Sequence, residues 1–579
     1  MISEPEDLLF THNYIIYKLA TENKRQKDEK QMKQKPDCAI LVYRRLVNKK
    51  FKCPRKIHMI FQITAIAFLV SFFNGFSQIA TGAVKPYEDE NWSIPENIVD
   101  TQINTILSRF NAKMRNQCSD YVFVRRVYLD LVGRLPTPEE IDGFINDRSP
   151  YRRKILIEKL FEKDDFALYW TMKWADILRV KSEYPINLWP NAVQAYHRWI
   201  YEKIKQNLPY DKFARELLTS SGSNFRVPAV NFYRAIQGRS PQSIAKAVAQ
   251  TFMGIDFEKL SGQQQENLSM FFSRVAYKKT LEWKEEIVYL NPEPSKRFRA
   301  TFLDGKTVDV YPEQDGRVIF ADWLISPQNQ WFSQNIVNRV WAWLMGQGII
   351  SPVDDTYGKE TIGKDLLKTL EDELVKSGYD IKHICRIILN SRTYQQSPIP
   401  TDETKNPDIQ FAFYKVRQME AEVLLDALCY LGGRGEEYIS QIPEPFTVIP
   451  RKNRTIGLAD GSITSSFLIT FGRPSRDTGL ESERNTRPTD KQRLFMLNSS
   501  DIQRRIILSP VLKKAISQLW KNKKDSVIMI YKIILSRPPS PEELVIADDY
   551  FNNSGLLPYQ AANDIAWALI NSKEFLFKH

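Results

Sequence analysis

The chain has 579 residues, 43% of them hydrophobic and 12% aromatic, and a formal net charge of +12. That length is more than one ordinary domain holds, so two or three are expected, with apolar residues enough for large buried cores. The charge is uneven: residues 1–58 hold 14 Lys/Arg against 7 Asp/Glu, so +7 of the +12 sits in the leader and about +5 in the rest, a balance that argues against a nucleic-acid partner.

The run Met59–Phe73 is almost wholly apolar, follows Lys49, Lys50, Lys52, Arg55 and Lys56, and leads into small residues through Ala83. A positive flank, an apolar run of about 15 residues and a small-residue tail form the pattern of a secretory signal. The run is short for a membrane span, which needs about 20 residues, and an uncleaved anchor is the alternative. Residues 1–83 are therefore read as a basic leader plus signal peptide or anchor. An exported protein of the periplasm or cell envelope is expected, touching the membrane only through that leader if it stays uncleaved. Beyond it lie Cys118, Cys385 and Cys429, an odd and widely spaced set that gives no disulfide framework and no Cys-x-x-Cys site.

From residue 84 to 284 the pattern is helical. Ser93 starts one helix. The stretch Phe123 to Leu131 forms another, ended at Gly133. Thr137-Pro138, with Glu140 three residues on, then opens the next helix as a capping box. Tyr531 to Leu544 repeats Tyr128 to Ile141 almost position for position, so a second corner of the same design is expected near the far end of the chain. Helical periods continue through Phe166–Leu178, Ala192–Leu208 and Pro241–Phe252. Residues 285–320 alternate and are β-rich, with Asp304-Gly305 as a hairpin turn, and mark the domain junction. The C-terminal helical domain, 321–579, opens on a tryptophan-rich helix expected to start at Ser326-Pro327 and to end at Gly346. Asn338 and Arg339 sit inside that apolar helix and call for buried polar partners. Further helices are expected at Lys364–Ser377, Ile381–Ser391 and about 411–431. The fold class is mainly α: two interlocked helical domains with a small β-rich hairpin segment between them.

These stretches together resemble a tandem pair of domains of unknown function. The pair is found in large exported proteins of planctomycetes, verrucomicrobia and Bacteroidetes, often beside a cytochrome c-like domain. The first domain's signatures are Phe123–Ile141, Phe161–Arg179, Leu208–Phe213 and Phe252–Ile255. The second's are Ala321–Asp355, Gly378–Gln395, Arg417–Leu428 and Phe471–Pro474. The resemblance implies a helical exported fold and carries no established activity. Two departures stand out. Family members place a Cys-x-x-Cys-His haem motif after the Phe-x-Gly segment, whereas here Phe252–Phe257 runs through Glu258–Gln265 into Leu268 with neither thiol nor histidine. Members also carry Cys-x-Cys before a Glu-Arg pair, whereas here Leu480-Glu481-Ser482 precedes Glu483-Arg484. No cofactor is expected, haem included.

The histidines His197, His383 and His579 lie far apart, so no zinc site of ordinary spacing is expected. No nucleophile elbow or phosphate-binding glycine loop is visible. What remains is arginine–carboxylate chemistry. The candidate cleft or core polar cluster is Asn338, Arg339, Asp354, Asp355, Arg417, Glu420, Asp426, Arg473, Arg476, Glu483 and Arg484, with Glu422 sharing a helix face with Asp426. As a buried ion-pair lattice, this set belongs to a scaffold or binding module with envelope protein partners or a glycan. As an open cleft, it belongs to a hydrolase or lyase acting on a polysaccharide or acidic sugar.

Overall fold

A computed structural model of the chain describes residues 85–292, 296–400, 411–442, 447, 449, 453–520 and 522–579. The leader 1–83, with its apolar run Met59–Phe73, lies outside the described residues, as does part of the loop after Ser397. The described chain is mainly helical with a few short antiparallel strand pairs. Among the described residues no helix is long and apolar enough to cross a membrane.

The first helix among the described residues, Ile98–Ser108, is capped by Asn97 in a capping box with Asp100. Asp100 also accepts hydrogen bonds from the backbone nitrogens of Arg392 (3.0 Å) and Thr393 (2.8 Å), so this cap joins the two halves of the chain. The next helix, Asp120–Leu131, is buried on every side from Val122 onward, including Arg125, Arg126 and Asp130. It ends at Gly133, whose φ is +58° and whose Cβ, if it had one, would meet the Tyr169 ring at 2.5 Å. Only glycine fits there. Thr137 then opens Pro138–Ile145 with the capping box read from sequence.

The second corner is built the same way. Lys523–Leu535 ends at Ser536, which holds the left-handed conformation at the place of Gly133, and Ser540 caps Pro541–Asn553 in a capping box with Glu543. The likeness extends to the charges. Arg134 meets Glu140 at 2.7 Å and Asp165 at 3.0 Å, while Arg537 meets Glu543 at 2.7 Å and Glu574 at 2.6 Å. Each guanidinium also lies over a tyrosine ring, Tyr128 at 5.1 Å and Tyr531 at 5.7 Å. The two modules touch through Lys532 and Asp142, 2.5 Å apart.

The tryptophan-rich helix Gln330–Met345 is buried along most of its length. Trp343 stands edge-on to Trp170 (5.5 Å) and Trp174 (6.1 Å) of the helix Asp164–Ile177, and Phe332 stacks on Tyr210 at 4.6 Å. Aromatic packing therefore spans the two halves of the sequence, with edge contacts favoured by the ring quadrupoles. Its start differs from the expectation at Ser326-Pro327. The preceding helix, Gly316–Leu324, runs up to that dipeptide, the carbonyl of Ser326 accepts from Asn329 N at 2.8 Å in a turn, and Asn329 is the cap. The end at Gly346, φ +84°, is as read from sequence.

The β-rich stretch begins earlier than residue 285. Val275–Lys279 pairs antiparallel with Glu286–Leu290, and the pair Gly222-Ser223 adds to the other edge. Phe298–Thr301 and Thr307–Val310 form the second hairpin around Asp304-Gly305. The helix expected over 411–431 starts only at Ala421. Ahead of it, Arg417-Gln418 pairs antiparallel with Phe577-Lys578. A strand partner about 160 residues away overrides the local helical period there.

Candidate functional site

The polar candidates gather around the start of the helix Ala421–Gly432, which an Arg339-centred reading misses. Glu420 is its N-cap residue, Glu422 lies in the first turn, and Asp426 follows Glu422 by four residues, about one turn. Each of these carboxylates leads to a different cluster.

Glu420 belongs to the first. Lys578 lies 2.7 Å away, Lys173 3.2 Å, and the Tyr169 hydroxyl donates at 2.9 Å. Burial would raise this carboxyl, but the two ammonium groups outweigh it and hold it well below the usual carboxylate range. Lys578 also lies 3.3 Å from Asp130, and Asp130 receives Arg417 at 2.6 Å and the hydroxyls of Tyr394 (2.9 Å) and Tyr414 (3.1 Å). Arg417 further donates to the carbonyls of Trp343 and Leu344 at the end of the tryptophan-rich helix.

Glu422 anchors the second cluster. Arg484 reaches it at 2.6 Å and Arg473 at 3.3 Å. Burial raises the Glu422 carboxyl, yet the guanidiniums prevail and bring it to about 2. Arg484 bridges on to Asp176 at 2.6 Å, where Arg476 also arrives at 2.8 Å. Arg473 and Arg476 also donate to backbone: Arg473 to the carbonyls of Ile463 and Asp460, Arg476 to that of Ala459 at 2.7 Å. Burial, together with Arg476 nearby, lowers Arg473 to about 10.

Asp426 leads to the third. It accepts from Thr455 N at 2.6 Å and lies 3.3 Å from Arg454, which continues to Asp165 at 2.6 Å and so reaches the first corner. Burial raises its carboxyl despite Arg454.

Arg339 forms a separate, smaller cluster. Asp354 lies 3.2 Å from it and Glu481 3.7 Å, while the backbone nitrogens of Glu481 and Ser482 donate to Asp354 at 2.9 and 3.1 Å. Asn338 is a clamp: its amide donates to the Ile350 carbonyl and accepts from Ile350 N, both at 2.9 Å. Asp355 faces outward to Lys259 and Lys359, the latter at 2.9 Å. Glu483 folds back on its own loop, accepting from Ser475, Asp477 N (3.0 Å) and Thr478 N (3.2 Å).

The structure thus joins Arg473 and Arg484 through Glu422, Arg484 and Arg476 through Asp176, and Arg417 to Glu420 through Asp130 and Lys578. It leaves Asn338, Asp355 and Glu483 outside these clusters. Sequence reasoning passed over Asp176, Lys173 and Lys578. The first two sit in the tryptophan-rich stretch Asp164–Ile177, and a charge inside such a helix is the same signal that marked Arg339. Two hollows elsewhere each hold about 10 Å3, room for about one water. One lies beside Phe271 and Gly316, the other beside Tyr531 and Tyr550, and none of the candidate residues lines either.

The haem place implied by the resemblance is also visible. After Phe252 the chain turns at Gly254, φ +61°, where a Cβ would meet the Asn335 side chain at 2.8 Å. Ile255, Phe257 and Leu260 then bury themselves directly. The segment offers no thiol or imidazole, and Cys118 and Cys385 are buried elsewhere. These residues do not fit a covalently attached haem.

Residues 98–259 match the family model described as PSCyt2, protein of unknown function (DUF1549), and residues 316–551 match that described as PSD1, protein of unknown function (DUF1553). No curated protein and no solved structure matches the chain.

Proposed function

We propose, for a chain that carries the DUF1549 and DUF1553 domains in tandem, the role of an exported scaffold or binding module of the cell envelope that has lost the c-type haem site. Its partners are envelope proteins or a glycan, met through its surface. One observation carries this reading: the buried candidate carboxylates Glu420 and Glu422 are occupied by cations of the same chain. Glu422 lies between Arg484 and Arg473, and Glu420 between Lys578 and Lys173. A general acid or base needs a carboxyl within about 3 Å of the substrate and a pKa near the working pH. A carboxylate at about 2 between two guanidiniums meets neither need.

The alternative, a hydrolase or lyase acting on a polysaccharide or acidic sugar, makes Arg473 a ligand-binding group. A glycan and metabolite screen on the full chain, repeated with Arg473→Ala, separates the two. The scaffold reading expects Arg473→Ala to melt several degrees lower while the folded fraction binds as before. Binding or turnover lost at an unchanged melting temperature would make the arginine part of a site and refute the reading. A Soret band from the purified protein would refute the loss of haem.

A further inference from the structure

The positive charge of the chain beyond its leader is gathered in one place. Residues 487–525 hold ten Lys/Arg against three Asp/Glu, a net of +7. Residues 59–579 carry only +5 in all, so the rest of them together are slightly acidic, at −2.

The basic stretch contains three short helices with single-residue joints. Ser499 ends Asp490–Asn498 and caps Ser500–Leu508; Ser509 ends that helix and caps Pro510–Ile516. Their inner side is fixed to the body of the protein. Met496, Ile502, Ile506 and Leu512 are buried. Arg505 is held by Glu436 at 2.7 Å and Asp501 at 2.5 Å, and a Cβ on Gly432 would meet its side chain at 2.9 Å.

The outer side combines two properties. Arg493, Leu494 and Leu497 share one helix stripe, and Arg504, Ile507 and Leu508 another, by their spacing of three and four residues. Leu494, Ile507 and Leu508 are 58%, 57% and 56% exposed. Beside them Lys491, Lys513 and Lys514 are exposed and, among the described residues, meet no carboxylate. A single exposed leucine is ordinary. What distinguishes this face is that its leucines and isoleucine stand inside the whole charge excess of the body. A partner that suits both has negative charge at its surface and an apolar layer just beneath. A bilayer of anionic phospholipid is layered in that way: lysine ammonium groups lie at the phosphates while apolar side chains enter the acyl boundary. Protein interfaces, by contrast, are depleted of lysine.

We propose that the outer side of these three helices docks the protein on an anionic phospholipid surface. Helices of seven to nine residues are too short to span a bilayer, so the contact is peripheral. It goes beyond the binding-module reading and stands apart from it, since no glycan or protein partner takes part.

The test is hydrogen exchange on the full chain, resolved to peptides of residues 490–516, with vesicles of phosphatidylcholine alone or of equal parts phosphatidylcholine and phosphatidylglycerol. Because exchange is read peptide by peptide, membrane contact by the leader does not register there. Anionic vesicles are expected to slow exchange in these helices several-fold, and neutral ones to leave it unchanged. Leu494→Gln/Leu508→Gln and Lys513→Gln/Lys514→Gln should each raise the lipid concentration for half-maximal protection about tenfold or more. Both should leave the melting temperature within about 1 °C of the parent, since all four side chains are exposed. Tyr151→Ser, at an exposed ring outside this stretch, should change nothing. No slowing at 490–516 with anionic vesicles, or the same slowing in both double variants, would overturn the docking face. Equal slowing by neutral vesicles would overturn the role of the lysines. Polyglutamate slowing exchange there more than the anionic vesicles do would overturn the lipid surface in favour of an acidic protein. Each outcome is read independently of what Arg473→Ala does to glycan binding or stability.

Discussion

Glu422→Gln is the sharpest probe of the lattice. The substitution keeps the shape of the side chain and removes its charge. Arg484 is left with Asp176 alone, and Arg473 with backbone carbonyls and a guanidinium neighbour in Arg476. Breaking a buried pair by neutralising one member costs about 3–5 kcal/mol, because the surviving charge stays buried. Unfolding entropy is about 2 cal/mol/K per residue, so a cooperative unit of about 500 residues shifts by roughly 1 °C per kcal/mol. Differential scanning calorimetry at pH 7 should therefore show the melting temperature falling by about 3–5 °C. The double variant Glu422→Gln/Arg484→Met removes both ends of the shortest pair and should recover part of the loss, since replacing a buried pair by apolar groups is often neutral. A shift below 1 °C for the single variant, or strictly additive losses in the double variant, would refute the claim that these charges stabilise one another. The assay also separates lattice from active site, because a catalytic carboxylate would lose turnover without this coupling.

The protein should unfold in acid. Arg484 with Arg473 and Arg537 respectively outweigh burial at Glu422 and Glu574 and bring both carboxyls to about 2. Unfolded glutamate titrates near 4.3, so this stabilisation is complete above about pH 4.5 and is lost as the pH falls toward 2; a melting temperature flat over that window would contradict the assignment. Glu371 runs the other way. Burial in the helix Lys364–Lys376, only partly opposed by Lys368, pushes its carboxyl up to about 7. A folded value above the unfolded one means stability falls as the pH rises from 4.5 through 7. Glu371→Gln should accordingly match the parent at pH 4.5 and be more stable at pH 8, by about 3 kcal/mol at most, as read from paired melts at the two pH values.

Much of the fold could be read locally. Thr137, Pro138 and Glu140, then Ser540, Pro541 and Glu543, announce the two corners because capping is settled within four residues. Gly346 ends its helix for the same kind of reason. What the local pattern missed depends on distant partners. Residues 411–420 look helical alone, and only pairing with Phe577-Lys578 makes a strand of Arg417-Gln418. The candidate site divides the same way. Its residue types were legible, since charges inside apolar stretches must find partners. The pairings were not, because Arg476 meets an aspartate 300 positions away and Asp130 a lysine almost at the far end of the sequence. Lys578 gave no warning at all: a basic residue beside His579 looks like a solvated tail.

The two corners also carry a temporal consequence. Arg125 donates to the carbonyls of Ile534 and Phe575, and Arg126 to those of Tyr394, Gln396 and His579, over separations of 268 to 453 positions. Contacts so distant in sequence make for high contact order and slow folding. A chain that emerges from its N-terminus exposes the helix Asp120–Leu131 well before the acceptors for its guanidiniums. Until then those charges must stay in water, and the apolar residues beside them cannot close. The core of the early helices is thus finished by segments that arrive well after them, and synthesis order becomes a built-in delay before that core can close.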